Sequence, residues 1–211
     1  MHLWRYVITV DHGSAPNYGP PSVTLAICKP EIRRLAEVGD LVMAFAGRSL
    51  LRGKDGKWHP DAVIWAGEVG EILSFDQYWR DSRFQTKKPD RSSRPDNIYR
   101  PRAGGYIQVR NSVHQLGDQS RDIGGRNVLV MKAAWHFGRN GVVLPAKFLK
   151  FRIEIGARRG HRRSEIGDTS KRALLAWFRE SGVQVPNKRT HPEPRLQSCG
   201  CSPRHKLTRT C

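Results

Sequence analysis

The chain reads as an α+β protein: a small, mixed, bent β-barrel with peripheral helices and a disordered, basic C-terminal tail. Three observations predict this. Short strand-like runs rich in β-branched and aromatic residues outnumber helical patterns, about six against two or three. They do not alternate regularly with long helices, which argues against a doubly wound parallel sheet and for a bent or closed one. The charge changes along the chain: residues 1–156 carry 24 Lys/Arg against 15 Asp/Glu, whereas 157–211 carry 13 against 4. The boundary is placed at 182/183, with a folded domain over 1–182 and a tail over 183–211.

The elements follow in order. Leu3–Val10 (LWRYVITV) is a first strand ended by the turn-prone DHGSAPN. Val23–Cys28 is a short apolar run stopped by Lys29-Pro30. Pro30 suits the first position of a helix, PEIRRLAEV, which Gly39 ends. Asp40–Ala46 is continuously apolar and of strand length, hence a buried strand. Gly47–Pro60 is a polar loop. Ala62–Leu73 is a strand whose Gly67 and Gly70 predict a bulge or bend. Phe75–Arg83 is a short helix, and 84–105 a long loop of the kind that is functional or disordered. Tyr106–Val109 and Asn127–Lys132 are strands, Ala133–Gly138 an aromatic turn, and Phe148–Ile155 an alternating last strand. Thr169 caps a helix over Ser170–Glu180 that Gly182 ends. The rest is polar, basic and Pro-punctuated, with too little apolar surface to offset its ordering entropy.

Composition narrows the function. The chain has 211 residues, 38% of them hydrophobic, and a formal charge of +18 with a pI of about 10.5. Such a charge concerns partners: nucleic acid first, an anionic membrane surface second. No apolar run approaches the ~18 residues that span a bilayer, and the start lacks a signal-peptide pattern, so a cytoplasmic location is expected. No phosphate-binding Gly-rich loop, zinc-deaminase signature or Gly-x-Ser-x-Gly elbow occurs. No cofactor or metal is expected: Cys199-x-Cys201 with Cys211 lacks the usual zinc spacing, and the histidines are scattered. Cys28 reads as a buried core thiol, the alternative being a thiolate favoured by Lys29.

Three stretches carry the candidate chemistry. Between Arg80 and Arg110, nine Lys/Arg face three Asp, with Tyr78, Trp79, Phe84 and Tyr99 interleaved. Cations suit phosphates, and aromatic faces stack on unpaired bases. GARRGHRR (Gly156–Arg163) offers guanidinium forks for phosphate oxygens. Asp11–Tyr18 (DHGSAPNY) offers donors and acceptors suited to a base edge.

LWRYVITVDHGSAPNY, VTLAICKPEIRR, VGDLVMAFAG, VIWAGEV, DNIYRP, GRNVLV with AWHFG, and ARRGHR together resemble the second of the nucleotide modification associated domains, over about residues 2–163. That family, of bacteria and bacteriophages, implies a place beside DNA-modifying enzymes. The aromatic first strand (Trp4, Tyr6), Gly39-Asp40 opening an apolar strand, and Gly67-Glu68-Val69 are similar to the PUA-like superfamily, which includes the EVE, ASCH and YTH domains. That likeness implies a bent barrel holding a modified or flipped base in an aromatic pocket.

The resulting expectation is a nucleic-acid-binding domain that recognises a modified or extruded base, in DNA rather than RNA, beside DNA-modification or defence proteins and away from membranes. Trp4, Trp65, Tyr78, Trp79 and Tyr99 are the expected walls, and Asp11, Asn17 and Asn97 the edge readers. Lys87, Lys88, Arg100, Arg158, Arg159, Arg162 and Arg163 would neutralise phosphates. The alternative is an enzyme acting on bases or nucleotides, with Asp11, His12 or Glu68 transferring protons.

Overall fold

The computed structural model describes residues 1–11, 13–48, 50, 59–138, 140–153 and 161–186. Ten strands occur among them: β1 (His2–Ile8), β2 (Thr24–Leu25), β3 (Leu41–Ala46), β4 (Ala62–Ser74), β5 (Tyr99–Arg102), β6 (Gly105–Gln108), β7 (Asn127–His136), β8 (Val142–Val143), β9 (His161–Glu165) and β10 (Val183–Val185). The helices are α1 (Pro30–Leu35), α2 (Phe75–Arg80), α3 (Gln119–Ile123) and α4 (Asp168–Ser181).

One mixed sheet runs in the order β10-β7-β4-β3-β1-β9, with β2 added to β7 and β8 to β4. β1 and β3 are parallel and the other pairs antiparallel. β9 and β10 are its two ends, and no pairing joins them among the described residues. The expected closed barrel is therefore corrected to an open sheet, with the β5–β6 hairpin as a separate ribbon.

β3 lies between β1 and β4 and buries all six residues, which is why its sequence is continuously apolar. Its alternate residues feed two cores. Val42 and Ala44 join Trp4, Tyr6, Trp65 and Ile32 on one face. Leu41, Met43 and Phe45 join Leu174, Trp177 and Phe178 of α4 on the other. A third core, under α2 and the hairpin, holds Phe75, Tyr78, Phe84 and Tyr99. The β4 register shifts on either side of Val69, as its glycines predict. A Cβ on Gly70 would come within 2.7 Å of the Lys132 Cβ and 2.9 Å of its main-chain nitrogen. Ser74 and Gln77 cap α2 reciprocally.

Several elements differ from expectation for identifiable reasons. Ala133–His136 extends β7 because Trp65–Glu68 and Val183–Val185 pair with it from both sides. Val183–Val185 thus belong to the sheet and not to the expected tail, while 187–211 lie outside the described residues. Ala146–Phe151 is a 3₁₀ helix, not a strand: the burial of Phe148 and Phe151 follows a period of three. The basic HRRSE stretch is an edge strand, where charges are tolerated and discourage further pairing. Part of the 84–105 stretch is β5. The cap of α4 is Gly167 and not Thr169. Among the described residues, no helix is long and apolar enough to cross a membrane.

Candidate active site

The chain leaves β2 through buried Ala26 and Ile27 and turns sharply into α1. Cys28 and Lys29 form this turn, both at positive φ (58° and 44°). Two consecutive non-glycine residues in the left-handed region cost about 1–3 kcal/mol each and persist only when their surroundings hold them. Here the Cys28 N–H donates to Asp122 Oδ1 (2.8 Å) and its carbonyl accepts from Arg33 Nε (2.7 Å). Arg33, fully buried in α1, also donates to the main-chain carbonyls of Asn127 (2.7 Å) and Asp122 (2.5 Å). One guanidinium therefore ties the turn to α3 and to the start of β7.

The turn presents the half-buried Cys28 thiol to His114, with Sγ 3.3 Å from Nε2. The other ring nitrogen, Nδ1, lies 2.5 Å from Asp122 Oδ2. His114 sits in the loop after β6, its main-chain N–H bonded to Asn111 Oδ1 and its carbonyl to Gln108 Nε2. Asp122, fully buried on α3, also accepts from the Tyr99 hydroxyl (2.8 Å).

Burial disfavours charge on the His114 ring, but the hydrogen bonds to Asp122 and Cys28 outweigh it and hold its pKa at about 10. Burial likewise works against a charged Asp122, yet His114, the Cys28 N–H and the Tyr99 hydroxyl keep its carboxyl below the ordinary value. The pair is thus an imidazolium and a carboxylate at neutral pH. His114 Nε2 thus stands within reach of the Cys28 sulfur, placed to pass a proton to or from a group reacting there. A nucleophile, a proton carrier and a group orienting that carrier stand in line.

The three side chains also place potential metal-ligand atoms within 4.8 Å of one another. However, one imidazole nitrogen faces the sulfur and the other the carboxylate. That is the geometry of a proton relay; a metal held by sulfur and Nε2 would keep Asp122 as a supporting partner only.

The structure distributes the sequence-predicted residues elsewhere. Trp4 is buried and donates to Asp40 Oδ2, with the Arg163 guanidinium 5.5 Å from its ring centre. Trp65 is buried and donates to the Tyr6 hydroxyl. Tyr78 is buried against Asp96, Tyr99 is committed to Asp122, and half-buried Trp79 carries Lys88 Nζ 3.8 Å over its ring. A base stacking on Trp65, Tyr78 or Tyr99 would have to displace core contacts. Asn17 and Asn97 are buried and bind main-chain groups, Asn17 to Gly19 and Arg94 and Asn97 to Tyr78 and Phe84. Lys87 is enclosed, donating to Ser22 O and Thr24 Oγ1. Arg100 is exposed on β5 and Arg162 stands on β9. Asp11 pairs with His136 (3.3 Å) and Glu68 with Lys171 (2.7 Å). His12, Arg158 and Arg159 lie outside the described residues.

Sequence reasoning missed the alignment of Cys28, His114 and Asp122. The sequence reading takes Cys28 as a buried core thiol, with a thiolate beside Lys29 as the alternative; the structure leaves it half-buried against His114, and Lys29 Nζ donates to the Val7 carbonyl.

A family model described as nucleotide modification associated domain 2 matches residues 1–198, past the 2–163 over which the sequence motifs carry the resemblance. No curated protein and no solved structure matches.

Proposed function

Since this chain belongs to the nucleotide modification associated domain 2 family, we propose that it is an enzyme of nucleotide modification that uses Cys28 as nucleophile. The observation that carries this reading is the line from Cys28 Sγ through the two nitrogens of His114 to Asp122. The substrate class it fits is an acyl or amide carbon on a nucleotide or on the group being joined to it. Sulfur attacks that carbon, forming a C–S bond. The C–N bond then breaks, and the leaving amine takes the proton from His114 Nε2. Water or an acceptor amine next attacks the thioester, yielding its proton to His114, and the thiolate leaves. Asp122 stays ionised and holds the ring throughout. This takes up the enzyme alternative of the sequence reading and moves its chemistry from Asp11, His12 and Glu68 to Cys28 and His114.

The test is alkylation of Cys28 by iodoacetamide, followed by peptide mass spectrometry and compared with the unfolded chain. Native Cys28 reacting faster, with Cys28→Ser unlabelled, supports the reading; a thiol inert from pH 6 to 9 overturns it.

Nucleic-acid recognition is the second reading, favoured by the cations lying over aromatic rings at Trp4 and Trp79. DNA crossing these positions would bring a modified base to the protein and lose affinity with salt at ~0.9 log units per phosphate per decade. Duplexes with and without modified pyrimidines, titrated at one salt concentration, test it: equal affinities remove the base-specific part.

A further inference from the structure

The two polar stretches that the sequence marked, Asp11–Tyr18 and the loop after Phe84, meet at Arg94. Asn17 Nδ2 donates to the Arg94 carbonyl (2.8 Å). The Arg94 side chain lies against Gly13, where an added Cβ would stand 3.1 Å from Nη1 and 3.3 Å from Cδ. Gly13 has φ +71°, so both backbone and space call for glycine there. Arg94 Nη1 is buried without a hydrogen-bond partner, and so is the hydroxyl of the adjacent Ser14, a residue only 4% exposed. Among the described residues, no carboxylate pairs with Arg94; Asp11 on the same turn faces His136 and Tyr18.

Orphaned buried donors cost about 1–3 kcal/mol each, more when charged, so two on neighbouring residues call for an explanation. The scaffold under them is itself costly. Lys87 Nζ donates to Asn17 O (3.3 Å), Ser22 O (2.8 Å) and Thr24 Oγ1 (2.8 Å), while Asp96 accepts from Thr24 Oγ1 (2.6 Å) and Tyr78 OH (2.7 Å). Burial lowers the Lys87 pKa to about 8 and raises that of Asp96. This buried network fixes one loop against the other and aligns Arg94 with Gly13.

We propose that Arg94 and Ser14 form a phosphate-binding subsite, in which the oxyanion receives the unpaired Arg94 Nη1–H and the Ser14 hydroxyl. It rests on the nucleotide-modification reading and supplies its substrate class, a phosphate-bearing nucleotide, free or within a strand. Both donor atoms are enclosed, so binding moves the Gly13–Ser14 turn.

The full chain is titrated with inorganic phosphate, with 2′-deoxycytidine 5′-monophosphate and with a single-stranded oligonucleotide, reading heat and amide shifts of Gly13 and Ser14. Saturable binding that weakens at least tenfold in Arg94→Met, and less in Arg94→Lys, is expected. Loss for the monophosphate assigns a free nucleotide, and loss for the oligonucleotide alone assigns a strand; either supports the subsite. Wild-type affinity in a folded Arg94→Met, or no saturable binding of any probe, overturns it. Iodoacetamide labelling of Cys28 in Arg94→Met, and phosphate binding by Cys28→Ser, separate failure of this subsite from failure of the cysteine reading.

Discussion

His114 Nδ1 lies 2.5 Å from Oδ2 of the fully buried Asp122, so the charge of the imidazole is set by a carboxylate that solvent does not reach. Asp122→Asn keeps the shape and removes the charge. The His114 pKa, held at about 10 chiefly against burial, should fall toward or below its ordinary value. A histidine NMR titration reads that fall directly. Iodoacetamide labelling of Cys28 at neutral pH should slow, because the carboxylate that holds the charged ring against the sulfur is gone. An unchanged titration would show that Asp122 does not control the ring.

The same pair gives stability a defined pH dependence. His114 is raised from 6.5 to about 10 in the folded protein. Its contribution is therefore complete below about pH 6.5 and disappears as pH rises through about 10. Asp122 is lowered, so its contribution is present above the ordinary carboxylate pKa and lost as pH falls below it. The stability gap between wild type and His114→Gln, from urea unfolding at several pH values, should be widest in mildly acidic solution and shrink toward pH 10. A gap that widens with pH would contradict the assigned imidazolium.

Arg33 tests how the Cys28 turn is held. Lysine keeps the charge but cannot reach three diverging carbonyls with a planar fork. Each buried acceptor left unpaired costs about 1–3 kcal/mol. Arg33→Lys should lower the urea midpoint and reduce Cys28 labelling in the protein that remains folded. A variant as stable as wild type would mean that the turn holds its positive φ without Arg33.

Gly70 provides a test remote from the site. In Gly70→Ala the new methyl would meet the main chain of Lys132 on the partner strand. The expected loss is about 1–3 kcal/mol, the usual cost of forced overpacking, read as a lower melting temperature with Cys28 labelling unchanged. A larger labelling change than stability change would show that the bulge and the site are coupled.

The central strands were legible because β3 and β4 are set by apolar runs and by glycines whose roles are local. The 3₁₀ helix over Ala146–Phe151 was misread because FLKFRI satisfies a period of two as well as three, and only packing against Trp177 decides. β9 and β10 were hidden because edge strands need little apolar character. The candidate site escaped for another reason. Residues 28 and 114 come from two connecting turns and residue 122 from the short helix α3, with no shared spacing, and no periodicity encodes their meeting. Trp65 stands out as an expected pocket wall and Tyr78 as an aromatic beside a basic stretch, but the core uses their area and their polar ends bind inward.

The Arg33 fork joins the carbonyl of Cys28 to those of Asp122 and Asn127, which lie far from it along the chain. During synthesis Cys28 emerges well before His114 and Asp122, and chains are made N-terminal end first. Until the later segments arrive, its thiol has neither its proton partner nor the clamp that shapes its turn. On the proposed cysteine chemistry, Cys28 would gain its reactivity only with the completed fold, and its labelling would gauge finished folding.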